Sequence, residues 1–173
     1  MYACHSSVPI TRSDPRVKPE TVLITGASSG IGKELARCFA RDGSRLVLVA
    51  RRRDPLEVLA TQLRPASGIE AVVLVADLAC PEGAARVFSQ IERDGLEVDV
   101  LVNNAGFGAQ GLFAQLPLDR QLEMVQLNAT TLTHLTRTFL PGMIARRRGG
   151  ILNIASTAAF QPGPHMAVYY ASK

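Results

Sequence analysis

Thr21-Val-Leu-Ile-Thr25 is a short β-rich run that stops at Gly26, and Gly30 and Gly32 follow just as a helical pattern begins. A strand closed by glycines and continued by a helix is the opening of a βαβ unit. Ile31, Leu35, Cys38 and Phe39 recur at helical spacing, which predicts one core-facing stripe, and Gly43 stands where that helix should end. The alternation then repeats. Arg45–Ala50 reads as a second strand, and Pro55 opens a helix with Leu56, Leu59, Ala60 and Leu63 inward. A third strand is expected at 71–76, and a helix after Pro81 with Ala84, Phe88 and Ile91 inward. Residues 98–102 make a fourth strand, followed by a glycine-rich loop at 103–111. A long helix is expected over 118–140, with Leu122, Val125, Ala129, Leu132, Leu135 and Phe139 on one face, and a fifth strand at 150–155.

Apolar strands with no polar alternation are strands buried on both faces, and helices between them are the crossovers of a parallel sheet. The expected fold class is therefore α/β, a doubly wound parallel sheet of Rossmann type. The chain has 173 residues, 47% of them hydrophobic and 20% charged, which suits one globular domain. The breakers Pro9, Asp14-Pro15 and Pro19 mark residues 1–19 as a disordered tail before a domain at 20–173. The longest apolar run is halted by Asp77, so no membrane span is expected, and no leader pattern opens the chain. A cytoplasmic location follows by default.

The turn at 25–32 can cradle a pyrophosphate. Its glycines let backbone approach closely, and the helix N-terminus offers free N–H groups and partial positive charge. The spacing is Gly-x-x-x-Gly-x-Gly, not the more common Gly-x-Gly-x-x-Gly. At the end of the second strand, where an acid would hold the ribose hydroxyls of NAD, stand Ala50 and Arg51. A guanidinium can grip a 2′-phosphate in a fork, so NADP is expected over NAD. Arg51 opens the run Arg51-Arg52-Arg53, and a second run, Arg146-Arg147-Arg148, reads as solvated surface. Nineteen basic against fifteen acidic residues leave a net charge of +4, too little to argue for nucleic acid. Cys4, Cys38 and Cys80 are odd in number and widely spaced, which argues against disulfides and against a metal site. His134 and His165 have no nucleophile or metal partner in the pattern, so surface or packing roles are expected.

Thr25-Gly26-x-x-x-Gly30-Ile31-Gly32, Asn103-Asn104-Ala105-Gly106, Asn128, Ser156 and Tyr169-x-x-x-Lys173 stand in order, with 13 residues from Ser156 to Tyr169. In this set the chain resembles the short-chain dehydrogenase/reductase family over residues 20–173. The resemblance implies a catalytic tetrad of Asn128, Ser156, Tyr169 and Lys173. It implies cofactor contacts from Gly26, Ser28, Ser29, Gly30, Ile31 and Gly32, from Arg51, Asp77 and Leu78, and from Asn104, Ala105 and Gly106, with Tyr169 and Lys173 joining them. Asp77 would lie near the adenine ring. In the family, Asn128 would anchor a water leading to the lysine. The chemistry agrees. Ser156 can donate a hydrogen bond to a carbonyl oxygen as charge develops on it. Tyr169 can supply the proton, and Lys173, one helical turn on, puts a cation on the same face.

The implied activity is hydride transfer between NADPH and a carbonyl or secondary alcohol, with a small molecule as substrate. Leu140-Pro141-Gly142-Met143, Ile151-Leu152-Asn153-Ile154 and Gln161-Pro162-Gly163-Pro164 resemble reductases of acyl and other lipophilic carbonyls, which favours a 3-oxoacyl or lipid-like substrate over steroid or sugar alcohols. Thr157, Phe160 and Met166 are candidates to line its pocket. The pattern ends at Lys173, whereas the family continues through the rest of that helix and two further strands. The chain is thus expected to lack the last strands of the family fold and to be an incomplete piece. An inert NADP-binding fragment or scaffold stands as the alternative, and a homo-oligomer is left open for the full-length parent.

Overall fold

The computed structural model describes residues 19–173, so the stretch read as a tail lies outside the described residues except for Pro19. Five strands form one parallel sheet in the order β3-β2-β1-β4-β5. They are β1 (Thr21–Thr25), β2 (Arg45–Ala50), β3 (Ala71–Val75), β4 (Val100–Asn103) and β5 (Gly150–Asn153). The helices are α1 (Gly30–Arg41), α2 (Arg53–Ser67), α3 (Gly83–Arg93), α4 (Leu118–Val125), α5 (Leu132–Arg146) and α6 (Ala167–Ser172). The order reverses direction between β1 and β4, so a crevice opens between their carboxyl ends, where such sheets bind ligands. The doubly wound Rossmann-like expectation is met.

Each face of the sheet carries its own core. Val22, Ile24, Leu46 and Leu48 point to α1 and α2 and meet Ala36, Ala40, Leu56 and Leu59. Leu23, Val47, Val49 and Leu101 point the other way, against Val87 and Ile91 of α3 and Leu135 and Phe139 of α5. Phe88 and Phe139 meet edge to face at 5.3 Å. Each buried leucine or valine contributes about 1.5–3 kcal/mol over an exposed one, which is why these strands read as unbroken apolar runs. Gly43 and Gly68 end α1 and α2 in the left-handed region, with φ of +82° and +64°.

Three expectations need correction. In α1, Ile31 and Cys38 are exposed, and the buried line is Gly32, Ala36 and Ala40. Small residues four apart let the helix lie close to the sheet, with Leu35 and Phe39 flanking. The long helix is not continuous α. A π-helical segment, Gln126–Thr131, separates α4 from α5. Its wider turns add a residue, so the buried face before it moves back by one position. Gln121, Met124 and Asn128 are buried where Leu122, Val125 and Ala129 were expected, while Leu135 and Phe139 keep theirs. The second arginine run is not merely solvated. Arg146 Nη2 donates to the Val98 carbonyl at 2.9 Å, and Arg148 Nε lies 3.5 Å from Asp99 Oδ1. Asp99 in turn accepts the Thr21 N–H at 3.0 Å, so this cluster braces the amino end of β1.

Candidate active site

The turn from β1 to α1 forms one wall of the crevice. Gly26 has φ +67°, and a Cβ there would sit 2.8 Å from Asn104 Nδ2 and 3.0 Å from Ala105 Cα. A side chain on Gly32 would collide with Asn104 Nδ2 and the Gly26 carbonyl. Both glycines are therefore required by the close approach of β4's end to this turn. Asn104 supplies the brace: Nδ2 donates to the Thr25 carbonyl at 2.8 Å and to the Gly26 carbonyl at 3.3 Å. Thr25 Oγ1 accepts from the N–H groups of Asn104 and Ala105 at 2.9 and 3.0 Å and donates to the Val102 carbonyl. Ser29 caps α1 without a side-chain bond, so the first-turn N–H groups of Gly30, Ile31 and Gly32 remain available at the crevice end.

The crevice itself has a volume of about 290 Å³. It is lined by Gly26, Ser28 and Ser29 of the turn, by Arg51, Asp77 and Leu78, and by Ala105 and Gly106 after β4. Those are residues singled out in the sequence. Ala50, read in the sequence as standing where an acid would favour NAD, lines it too; Arg52, Ala76, Ala79, Phe107 and Leu127 line it as well and were not singled out. Arg52 had a signal, since it follows Arg51 directly, whereas Leu127 enters only through the π segment. Arg51 and Arg52 are exposed and, among the described residues, make no ion pair. Asp77 Oδ1 accepts the Ala79 N–H at 3.0 Å and shapes the loop that leaves β3.

Beyond Gly106 lie the proposed catalytic side chains. Lys173 Nζ donates to the Ile154 carbonyl at 3.3 Å, and a Cβ on Gly106 would sit 2.9 Å from that same nitrogen. Ser156 caps a single tight turn, Thr157–Phe160, by accepting the Ala158 N–H at 3.1 Å, which fixes its hydroxyl at the end of β5. Tyr169 is half-buried, with its ring against the position a Cβ of Gly108 would take. Tyr170 turns its ring 76° from that of Tyr169 and packs on Gly163. Asn128 is buried, and its amide is spent on the protein: Oδ1 accepts the Phe107 N–H at 3.1 Å, and Nδ2 donates to the Phe107 carbonyl at 3.0 Å and to Ser172 Oγ at 2.9 Å. Met166 approaches Gly108, whereas Thr157 and Phe160 are exposed, Phe160 at 87%. His134 and His165 are exposed, and no metal-binding cluster occurs among the described residues. No helix among the described residues is long and apolar enough to cross a membrane.

The geometry has counterparts among known proteins. The family model of short chain dehydrogenases matches residues 20–173. A very-long-chain 3-oxoacyl-CoA reductase of Anas platyrhynchos is 36% identical over 157 residues, covering 87% of this chain and 49% of that protein. A short-chain dehydrogenase of Sphingobium yanoikuyae, solved in complex with NADPH, is 42% identical with a TM-score of 0.83, over 89% of this chain and 60% of that one. L-sorbose reductase of Gluconobacter frateurii, solved with NADPH and L-sorbose, is 33% identical with a TM-score of 0.83, over 90% and 59%. The chain spans about half the length of the curated relatives it matches.

Proposed function

Starting from the fact that the chain belongs to the short chain dehydrogenase family, a family of oxidoreductases acting on small molecules, we propose an NADP-dependent reductase of a lipophilic carbonyl, with a 3-oxoacyl compound as the preferred class. One observation carries the reading: a single crevice is lined by the Gly26 turn, by Arg51 and Arg52 and by Gly106, and Gly106 lies beside Lys173. A dinucleotide would thus run from a pyrophosphate cradle to the proton-transfer groups in one continuous path.

The residues suit such a group. Gly26 and Gly32 leave backbone where a Cβ would intrude, and α1 offers unpaired N–H groups to phosphate oxygens. Arg51 and Arg52 have no competing carboxylate partner among the described residues and stand where an acid would favour NAD. The bound cofactor supplies or accepts the hydride. The protein's part is proton handling and orientation. Tyr169 Oη donates the proton to the carbonyl oxygen in reduction and takes it back in oxidation. Ser156 Oγ donates a hydrogen bond to that oxygen as its charge grows. Lys173, directly after α6 and four residues on from Tyr169, supplies a cation, and Asn128 fixes the loop that carries Gly106. The name of the Anas relative, a reductase of very-long-chain 3-oxoacyl-CoA, supports a lipophilic substrate.

The test is equilibrium binding of NADPH and NADH, followed by reduction of a 3-oxoacyl thioester with each. Tighter binding of NADPH and NADPH-dependent reduction are expected. Equal affinity for the two cofactors overturns the cofactor reading, and NADPH binding without turnover of any carbonyl overturns the enzymatic one.

A further inference from the structure

The segment Gly106-Phe107-Gly108 lies between the cofactor crevice and the catalytic helix, and each of its residues meets a different part of α6 or its supports. A Cβ on Gly106 would stand 2.9 Å from Lys173 Nζ. A Cβ on Gly108 would stand 3.0 and 3.2 Å from Cδ2 and Cγ of Tyr169, and 3.4 Å from Cε of Met166. Phe107 between them is held from two sides. Both its backbone polar groups are paired with the Asn128 amide, and Arg120 lies 3.8 Å over its ring. Asn128 has one donor left, and it goes to Ser172 Oγ, whose own proton goes to the Tyr169 carbonyl at 3.0 Å. The contacts close a circuit: from α6 through Ser172 to Asn128, to Phe107, and through the flanking glycines back to Lys173 and Tyr169.

We infer that Gly108 and Ser172 are positioning residues, which align the Tyr169 hydroxyl through a backbone jig that Asn128 holds in place. The inference rests on the oxidoreductase reading of the site. Gly108 acts by what it lacks. Its φ is not in the left-handed region, so alanine strains nothing in the backbone and acts only by pressing on the Tyr169 ring. Ser172 acts by using both its hydroxyl roles at once, acceptor toward Asn128 and donor toward the helix. Without it, Asn128 keeps Phe107 but loses its tie to α6, so the jig and the helix can shift relative to one another. A displacement of about 1 Å at a reacting group costs on the order of 100-fold in rate, so a few tenths of an ångström are enough to be read.

Three variants test this: Gly108→Ala, Ser172→Ala and Ser172→Thr. Turnover, the KM for NADPH and hydrogen exchange of the Phe107 amide are measured for each. Gly108→Ala should lower kcat about 10-fold and leave the KM for NADPH within about twofold. Ser172→Ala should do the same and also speed exchange at Phe107 by about 10-fold, and Ser172→Thr should restore both. Unchanged Phe107 exchange in Ser172→Ala, or unchanged kcat in a folded Gly108→Ala, overturns the inference. If Gly108→Ala fails to fold, the Ser172 pair decides. The exchange arm needs no turnover. An unmutated protein that reduces nothing therefore sinks the oxidoreductase reading, while Phe107 exchange still reports on the circuit.

Discussion

β1 and β5 both pair in parallel with β4, yet every residue of β1 is buried while Gly150, Leu152 and Asn153 of β5 are exposed. The two strands are held by different physics. β1 lies between two cores and is ordered by non-directional apolar burial on both faces. β5 reaches the cores only at their margins, through Ile151 and the following Ile154, and it and the turn and helix after it rely more on directional polar bonds: Asn103 to Asn153, Lys173 to the Ile154 carbonyl, Ser172 to Asn128. Apolar burial tolerates substitution that conserves volume. Hydrogen-bond circuits tolerate little, because a lost partner leaves a buried polar group unpaired. The proposed nucleotide wall therefore rests on a robust scaffold, and the proposed catalytic end on a precise and fragile one.

Five variants would break or sharpen this contrast. Leu48→Ala removes a fully buried β2 side chain and should cost about 2–5 kcal/mol in chemical unfolding. A loss below about 1 kcal/mol would mean that the central strands are less close-packed than their burial implies. Tyr169→Phe should leave unfolding and NADPH binding nearly unchanged but lower turnover at least about 100-fold, whereas Tyr170→Phe should keep most of it. Kinetics of the two variants side by side decide which ring acts, and a dead Tyr170→Phe would reverse the assignment. Ala50→Asp combined with Arg51→Ser should shift the NADPH-to-NADH affinity ratio by about 10-fold or more toward NADH, read by titration, since charge-assisted bonds to the extra phosphate are lost. The smallest effect is expected from Leu152→Ala. At 38% exposure on β5, it should change stability by under about 1 kcal/mol, so equality with Leu48→Ala would dissolve the contrast between the strands.

Much of the fold was legible because of that same apolar scaffold. Strands buried on both faces write themselves as continuous runs such as Leu46 to Ala50, and a helix end writes itself as Gly43. The glycine turn after β1 was legible because close backbone contact excludes every residue but glycine at Gly26 and Gly32. The errors share one cause. A periodic reading assumes 3.6 residues per turn, and the π segment at Gln126–Thr131 breaks that assumption, so the predicted stripe slipped by one residue upstream of it. Cys38 was misplaced because a stripe of small residues, Gly32, Ala36 and Ala40, carries less hydrophobic signal than the larger side chains beside it.

The sequence by itself determined the order of elements, the parallel sheet and the glycine turn after β1, because each depends on local backbone requirements or on apolar periodicity, whereas the proposed catalytic set was offered only by the family resemblance. Only the tertiary structure decided which side chains share a circuit. Asn128 meets Phe107 across 21 residues and Ser172 across 44, and Arg146 reaches Val98 across 48. Such bonds depend on distances and angles between elements that no local pattern encodes. They are fixed only when both cores have closed and brought the ends of β4, the π segment and α6 together.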